Sequence, residues 1–116
     1  MPNPVVGWQI DAADPERVVR FYTELFGWTS GGAEHVQPLE SNSSEGINGG
    51  IHGTHDSGGR GMLTVHIRVD DVGAYLDKAV QLGGKVVADV HVVGQGLTLA
   101  RFADPEGNVI VIMSER

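Results

Sequence analysis

One stretch constrains the fold more than any other: residues 5–28, VVGWQIDAADPERVVRFYTELFGW, which read as a strand, a sharp start signal, a helix and a stop. Val5 to Ala12 is β-rich and partly alternating, as a half-buried strand requires. Asp14 offers a side-chain acceptor to the free N–H groups of a helix start, and Pro15 stands where a missing N–H costs nothing. Val18, Val19, Tyr22, Leu25 and Phe26 recur at helical spacing and make one apolar face. Gly27 can adopt the left-handed conformation that ends a helix.

The unit occurs twice. In residues 62–85, MLTVHIRVDDVGAYLDKAVQLGGK, Asp71, Leu82 and Gly84 stand 57 positions after Asp14, Leu25 and Gly27. The same offset pairs Gln9 with His66, Ile10 with Ile67 and Asp11 with Arg68. An offset near half of a 116-residue chain indicates two copies of one module.

The remaining segments complete each copy. After the first helix, over 14–26, no helical period appears from Trp28 to Thr54; short β segments are expected near 28–31, 35–41 and 46–53, with turns at Gly31-Gly32 and Ser41–Ser44. Residues 55–61, HDSGGRG, have linker composition. Their glycines are not read as a phosphate cradle, because a strand rather than a helix follows. A strand at 62–69 and a helix over 71–82 then repeat the first module, with Gly83-Gly84 ending the helix. Strands at 85–92, 97–103 and 108–114 follow, separated by Gly94-Gln95-Gly96 and by the turn Asp104-Pro105-Glu106-Gly107. The expected architecture is α+β: a single domain over 1–116, with module one at about 1–54, a linker at about 55–61 and module two at about 62–116. Each module is βαβββ, and together they form a curved eight-stranded sheet trough.

Composition narrows the function classes. Hydrophobic residues make 41% and charged residues 20% of the chain, which places it among globular proteins rather than disordered ones. The net charge of −7 and the lack of a basic run argue against a nucleic-acid partner and against an anionic membrane surface. With no cysteine, disulfides and thiolate chemistry are excluded. No apolar run approaches a membrane span and Met1-Pro2-Asn3 begins no signal peptide, so the cytoplasm is the expected location.

The pair of strand–helix units, DPERVVRFYTELFGW near the start, and FADPEGNVIVI near the end resemble the vicinal oxygen chelate superfamily, the glyoxalase/bleomycin resistance/dioxygenase group. The resemblance spans essentially the whole chain and is closest to the small single-domain members. It implies a metal site of up to four ligands on the inward strand faces. Two, usually His or Gln, lie about seven residues before each helix-start acid; two, usually Glu, lie about four residues past each terminal turn glycine. Those places hold Gly7, Thr64 and Val111 here, and the fourth holds Gly50 or Thr54, depending on whether Glu45-Gly46 is matched to Glu106-Gly107 or the offset of 57 is kept. Divalent ions want several N or O donors at once, so no metal cofactor is expected.

A displaced ligand set has its own logic, since residues two apart on a strand share a face. Gln9 and His66 each stand two past a vacant place, and His52 stands two past Gly50. A His–His–Gln cluster suits Zn²⁺ or Fe²⁺. The plainer reading is that Gln9, His52, Thr64 and His66 line a polar pocket for a small-molecule ligand. Asp11 and Arg68 are candidates for a charge pair at its rim or for solvated surface charges. His35 and His91 read as ordinary exposed histidines, and His55 as a solvated linker residue. Trp8 and Trp28 are core or interface aromatics, with Trp8 on the side opposite Gln9, toward the helix layer; Phe102 can face either way. Three activities fit: a metal-free small-molecule binder, a metal-dependent lyase, isomerase or dioxygenase, and a metal-free enzyme with His66 as general base. Sheet edges and the apolar run Val109-Ile110-Val111-Ile112 point to a homodimer.

Overall fold

The computed structural model describes residues 3–31, 36–41, 43–53, 62–94 and 96–115. The fold is α+β, two βαβββ modules. Its elements among the described residues are β1 (Val5–Ala12), α1 (Pro15–Phe26), β2 (Thr29–Ser30), β3 (Val36–Glu40), β4 (Gly49–Gly53), β5 (Met62–Arg68), α2 (Val72–Gln81), β6 (Lys85–Val93), β7 (Leu97–Ala103) and β8 (Val109–Ser114). The chain divides into two compact units, Gly7–Thr64 and Met1–Val6 with Val65–Arg116. His35, Thr54, His55 and the expected linker at 55–61 lie outside the described residues.

Each unit follows the same plan. In the first, the strand order is β2-β3-β4-β1, with β1 parallel to β4 and the other pairs antiparallel. In the second it is β5-β8-β7-β6, with β5 parallel to β8. The first strand of each module therefore lies beside its own last strand. The helix supplies the long crossover that a parallel return needs. The lead-in belongs with the second unit: Arg68 N donates to Pro4 O at 3.0 Å and the Asn3 amide donates to the Tyr75 hydroxyl at 3.2 Å.

The helix boundaries follow from the caps. The Asp14 carboxylate accepts from Arg17 N at 3.2 Å, and the Asp71 carboxylate accepts from Ala74 N at 3.0 Å. Gly27 ends α1 at φ 73°, with its N–H donating to Thr23 O. In the second module the left-handed residue is Gly83, at φ 102°, one place earlier than the repeat offset predicts. Gly84 is required for a different reason. A Cβ there would meet Ala103 O at 2.8 Å and Ala79 O at 3.0 Å, so glycine lets the helix end lie against the sheet.

Two expectations about apolar surfaces need correction. The predicted face of α1 is wider than what the helix buries: Val19 is buried and Val18 and Tyr22 are half-buried, but Leu25 and Phe26 are 58% and 56% exposed. The last turn runs onto Trp28, whose ring centroid is 4.9 Å from that of Phe26, and leaves the outer side of Phe26 to solvent. The run Val109–Ile112 is not a free face for a partner copy. Val111 and Ile112 are buried, Val109 and Ile110 are half-buried, and β8 lies between β5 and β7. Its continuous apolar character is that of a strand covered on both faces.

The cores are separate. In module one, Ala12, Val19, Leu39 and Ile51 are buried with Trp8, Ile10, Tyr22 and Trp28 packed against them. In module two, Val69, Val72, Leu76, Ala100 and Ile112 are buried, with Ile67, Tyr75 and Phe102 around them. Trp8 thus stands on the helix side, as expected, and Phe102 takes the same side in its own module. No helix among the described residues is long and apolar enough to cross a membrane.

Candidate functional site

Strand register sorts the candidate residues onto faces. In module one Gln9 is opposite Gly50 and Asp11 opposite His52, so these four share the face away from α1. Gln9 and Asp11 are 1% and 2% exposed, and the Gln9 Nε2 donates to the Asp11 Oδ1 at 2.7 Å. This face is where sequence reasoning needs its main correction. Asp11 is not a rim charge but a buried carboxylate, on the same face as Gln9 and His52. Arg68 is exposed and its guanidinium lies 3.3 Å from Glu115 Oε1. Burial is expensive for a carboxylate unless hydrogen bonds replace its water, and the Gln9 amide supplies one of them.

In module two, His66 is opposite Val111 on β8, and Val111 is opposite Arg101 on β7. The three form a row across the sheet on the face away from α2. Val111 is 1% and Arg101 7% exposed, whereas His66 is half-buried. Arg101 escaped the sequence reading. Its signal was a lone charge at an alternating position of the apolar strand Leu97–Ala103, flanked by the core residue Ala100 and by Phe102. Guanidinium groups are almost never buried without partners. Among the described residues no buried side-chain N or O atom lacks a hydrogen bond, so Gln9, Asp11, Thr64 and Arg101 are satisfied groups. His52 and Thr64 belong to the unit of Gln9, and His66 to the other. His91 is exposed, with its Nδ1 2.8 Å from Asp89 O.

The registers also settle which residue is the counterpart of Val111. Gln9 faces Gly50 just as His66 faces Val111, so the fourth position is Gly50 rather than Thr54. At the first position, a Cβ on Gly7 would stand 3.2 Å from Asn48 O, which leaves little room for a longer side chain. Thr64 is buried and carries a neutral hydroxyl. Among the described residues no three His, Asp or Glu side chains gather as a metal site needs.

Comparison with known proteins places this arrangement in a class. Residues 8–113 match the family model described as Glyoxalase-like domain, and the chain belongs to that family. It is a member of the glyoxalase/bleomycin resistance/dioxygenase superfamily, the vicinal oxygen chelate group. A Glyoxylase-like domain-containing protein of Didymella fabae is 28% identical over 93% of this chain and 91% of its own. Among solved structures, methylmalonyl-CoA epimerase from Mycobacterium tuberculosis superposes with a TM-score of 0.69 at 15% identity, covering 97% of this chain and 87% of that one. The Mn(II)-bound glyoxalase from Novosphingobium aromaticivorans gives 0.66 at 15% identity, over 98% of this chain and 40% of its own. At these identities the structural likeness concerns the fold alone.

Proposed function

We propose that this protein is a small-molecule-binding member of the glyoxalase-like family that works without a tightly held divalent metal. The observation that supports the reading is the identity of the cross-strand neighbours. Gln9 is partnered by Gly50 and His66 by Val111, and neither neighbour carries a donor. With Gly7 and Thr64 in the remaining positions, the residues implied as ligands do not fit a cation that must exchange several waters for N or O atoms. Of the four expected pocket residues, His52 and His66 are half-buried and can each meet a polar ligand on their own module, whereas Gln9 and Thr64 are buried and hydrogen-bonded and support the strand face behind them.

A second reading has one observation in its favour. Asp11 and His52 are register partners on the face that carries Gln9, which gives module one an acid, an imidazole and an amide together. This set would suit Zn²⁺ or Fe²⁺. The Gln9–Asp11 hydrogen bond weighs against it, because it already uses one carboxylate oxygen.

Elemental analysis of purified protein separates the two readings. The first expects less than about one tenth of an equivalent of Zn, Fe, Mn or Ni and a melting temperature indifferent to chelator, since a ligand that binds only the native state stabilises it by mass action. A stoichiometric metal lost on Asp11→Asn would replace it with the second. A ligand found by thermal-shift screening should bind at least about threefold more weakly to His66→Ala, the loss of one hydrogen bond.

A further inference from the structure

The face of module two that carries α2 holds a feature unrelated to the polar row. A cavity of about 400 Å³ opens between the helix and the sheet. Ile67, Phe102 and Ile112 line it from the strands, and Tyr75, Ala79 and Leu82 line it from one face of the helix. Helix residues three and four apart share a face, which is why these three meet there. Leu82 is 71% exposed although it borders the cavity, so the apolar lining continues to the mouth.

The internal repeat shows what the cavity lacks. On the offset of 57, Ala79 corresponds to Tyr22 and Val65 to Trp8; at the helix end, where the left-handed Gly83 takes the place of Gly27, the offset is one less, so Leu82 corresponds to Phe26 and Gly84 to Trp28. In module one those four aromatics pack on one another between helix and sheet. Tyr22 stacks on Trp28 at 5.7 Å, and Trp8 and Phe26 lie 5.3 Å and 4.9 Å from Trp28. Module two has the same topology with glycine or an aliphatic residue at each place, and Ala79, Leu82 and Gly84 all line the cavity. Protein interiors are otherwise close-packed, so a hollow where the sister module stacks rings is matched in shape and chemistry by a ring.

The rim supplies the second half of the ligand. Lys78 borders the cavity on the exposed side of Ala79, and none of the described carboxylates pairs with it. Asp104 is also at the rim, but its carboxylate is engaged in its own turn, accepting from Glu106 N, Asn108 N and the Asn108 amide at 2.9–3.0 Å. Asp104 remains an anion, but its oxygens are turned to those N–H donors, which leaves the Lys78 ammonium as the charge at the mouth without a partner among the described carboxylates. We propose that this cavity is a second binding site, for an aromatic carboxylic acid. The ring enters between Ala79 and Phe102, and the carboxylate remains at the mouth against the Lys78 ammonium. The volume falls in the range of small-molecule pockets and holds two fused rings with room to spare.

The probe is 2-naphthoate, titrated into the full chain and followed by methyl NMR and thermal shift. The expected result is saturable binding with the largest shifts at the methyls of Ile67, Ala79, Leu82 and Ile112. Ala79→Tyr installs the module-one side chain in the hollow and should weaken binding by at least about tenfold. Should that variant fail to fold, the exposed substitution Lys78→Gln carries the test: it should lower 2-naphthoate affinity about threefold and leave the neutral 2-naphthamide unchanged. His66→Ala, on the other face of the sheet, should leave probe binding intact, so failure here is separate from failure of the polar site. No shift at those methyls up to the solubility limit, or a folded Ala79→Tyr that binds as wild type, would overturn the site. Equal affinity for the acid and the amide would overturn the carboxylate assignment.

Discussion

The two modules share a topology and differ at the seam between helix and sheet. In module one Trp8, Tyr22, Phe26 and Trp28 form a continuous aromatic stack across that seam. In module two the matching residues are Val65, Ala79, Leu82 and Gly84, and a cavity lined by the last three takes the place of the rings. The features that set the topology are common to both: an aspartate cap before each helix, a left-handed glycine after it, and a first strand parallel to the last. The comparison teaches that the βαβββ plan is fixed by caps, turns and alternation. The filling of the helix–sheet space is free to serve packing in one copy and binding in the other.

The largest expected effect tests whether the aromatic stack carries module one. Trp28→Ala removes the ring that the other three contact. Full truncation of a buried Trp costs about 3–5 kcal/mol, and because Trp28 is half-buried the expected loss is about 3 kcal/mol in denaturant unfolding. A loss below about 1 kcal/mol would show the rings to be surface decoration, and the contrast between modules would fall.

A smaller effect is expected beneath the same stack. Trp8 and Gly49 are register partners, and the Trp8 indole lies over Gly49 so closely that a Cβ there would overlap the ring. The indole N–H donates to Ile47 O at 3.1 Å, which holds the ring in that position. Gly49→Ala must push the indole aside. The expected cost is about 2 kcal/mol, typical of overpacking, with a red-shifted tryptophan emission as the ring moves toward solvent. Unchanged stability and emission would mean that Trp8 is not held by its neighbours.

The fold was legible because its signals are local. Asp14-Pro15 and Asp71 state where the helices begin, and alternation along residues 5–12 put Trp8 on the helix side and Gln9 opposite. Depth was harder to read. Alternation gives the face of Asp11 but not whether that face is covered, so a buried carboxylate looked like a rim charge. Arg101 was hidden for the same reason, since a charged residue in a strand ordinarily marks a solvated face. The counterpart of Val111 was ambiguous because the two modules differ in length before their last strands, and only the register chose Gly50. The cavity was illegible in principle: Ala79 and Gly84 are as compatible with tight packing as with a hollow.

The smallest effect concerns the turn before each module's last strand, where the copies again differ by one chemical group. In module two, Glu106 N donates to the Asp104 carboxylate at 2.9 Å; in module one, Glu45 N donates to the Ser43 hydroxyl at 3.1 Å. Both bonds have the same span, and Gly50 and Val111 follow the two turns at matching distances. Asp104 also accepts from the side chain and backbone of Asn108, and these bonds hold its carboxyl below the usual aspartate range, the Asn108 side chain most strongly. A carboxyl whose folded-state pKa is depressed contributes stability that is fully present above its unfolded pKa and is lost as pH falls through the folded value. The module-two turn should therefore loosen on acidification below the normal aspartate range, while the Ser43 turn, which has no titrating acceptor, should not. Amide shifts and hydrogen exchange at Glu106 and Asn108, read against Glu45, measure this directly. Asp104→Ser transplants the module-one acceptor: it should lower the melting temperature slightly at neutral pH and abolish the acid loosening at Glu106. If Glu45 and Glu106 loosen in parallel in wild type, or the serine variant keeps the acid response, the difference between the turns is not electrostatic.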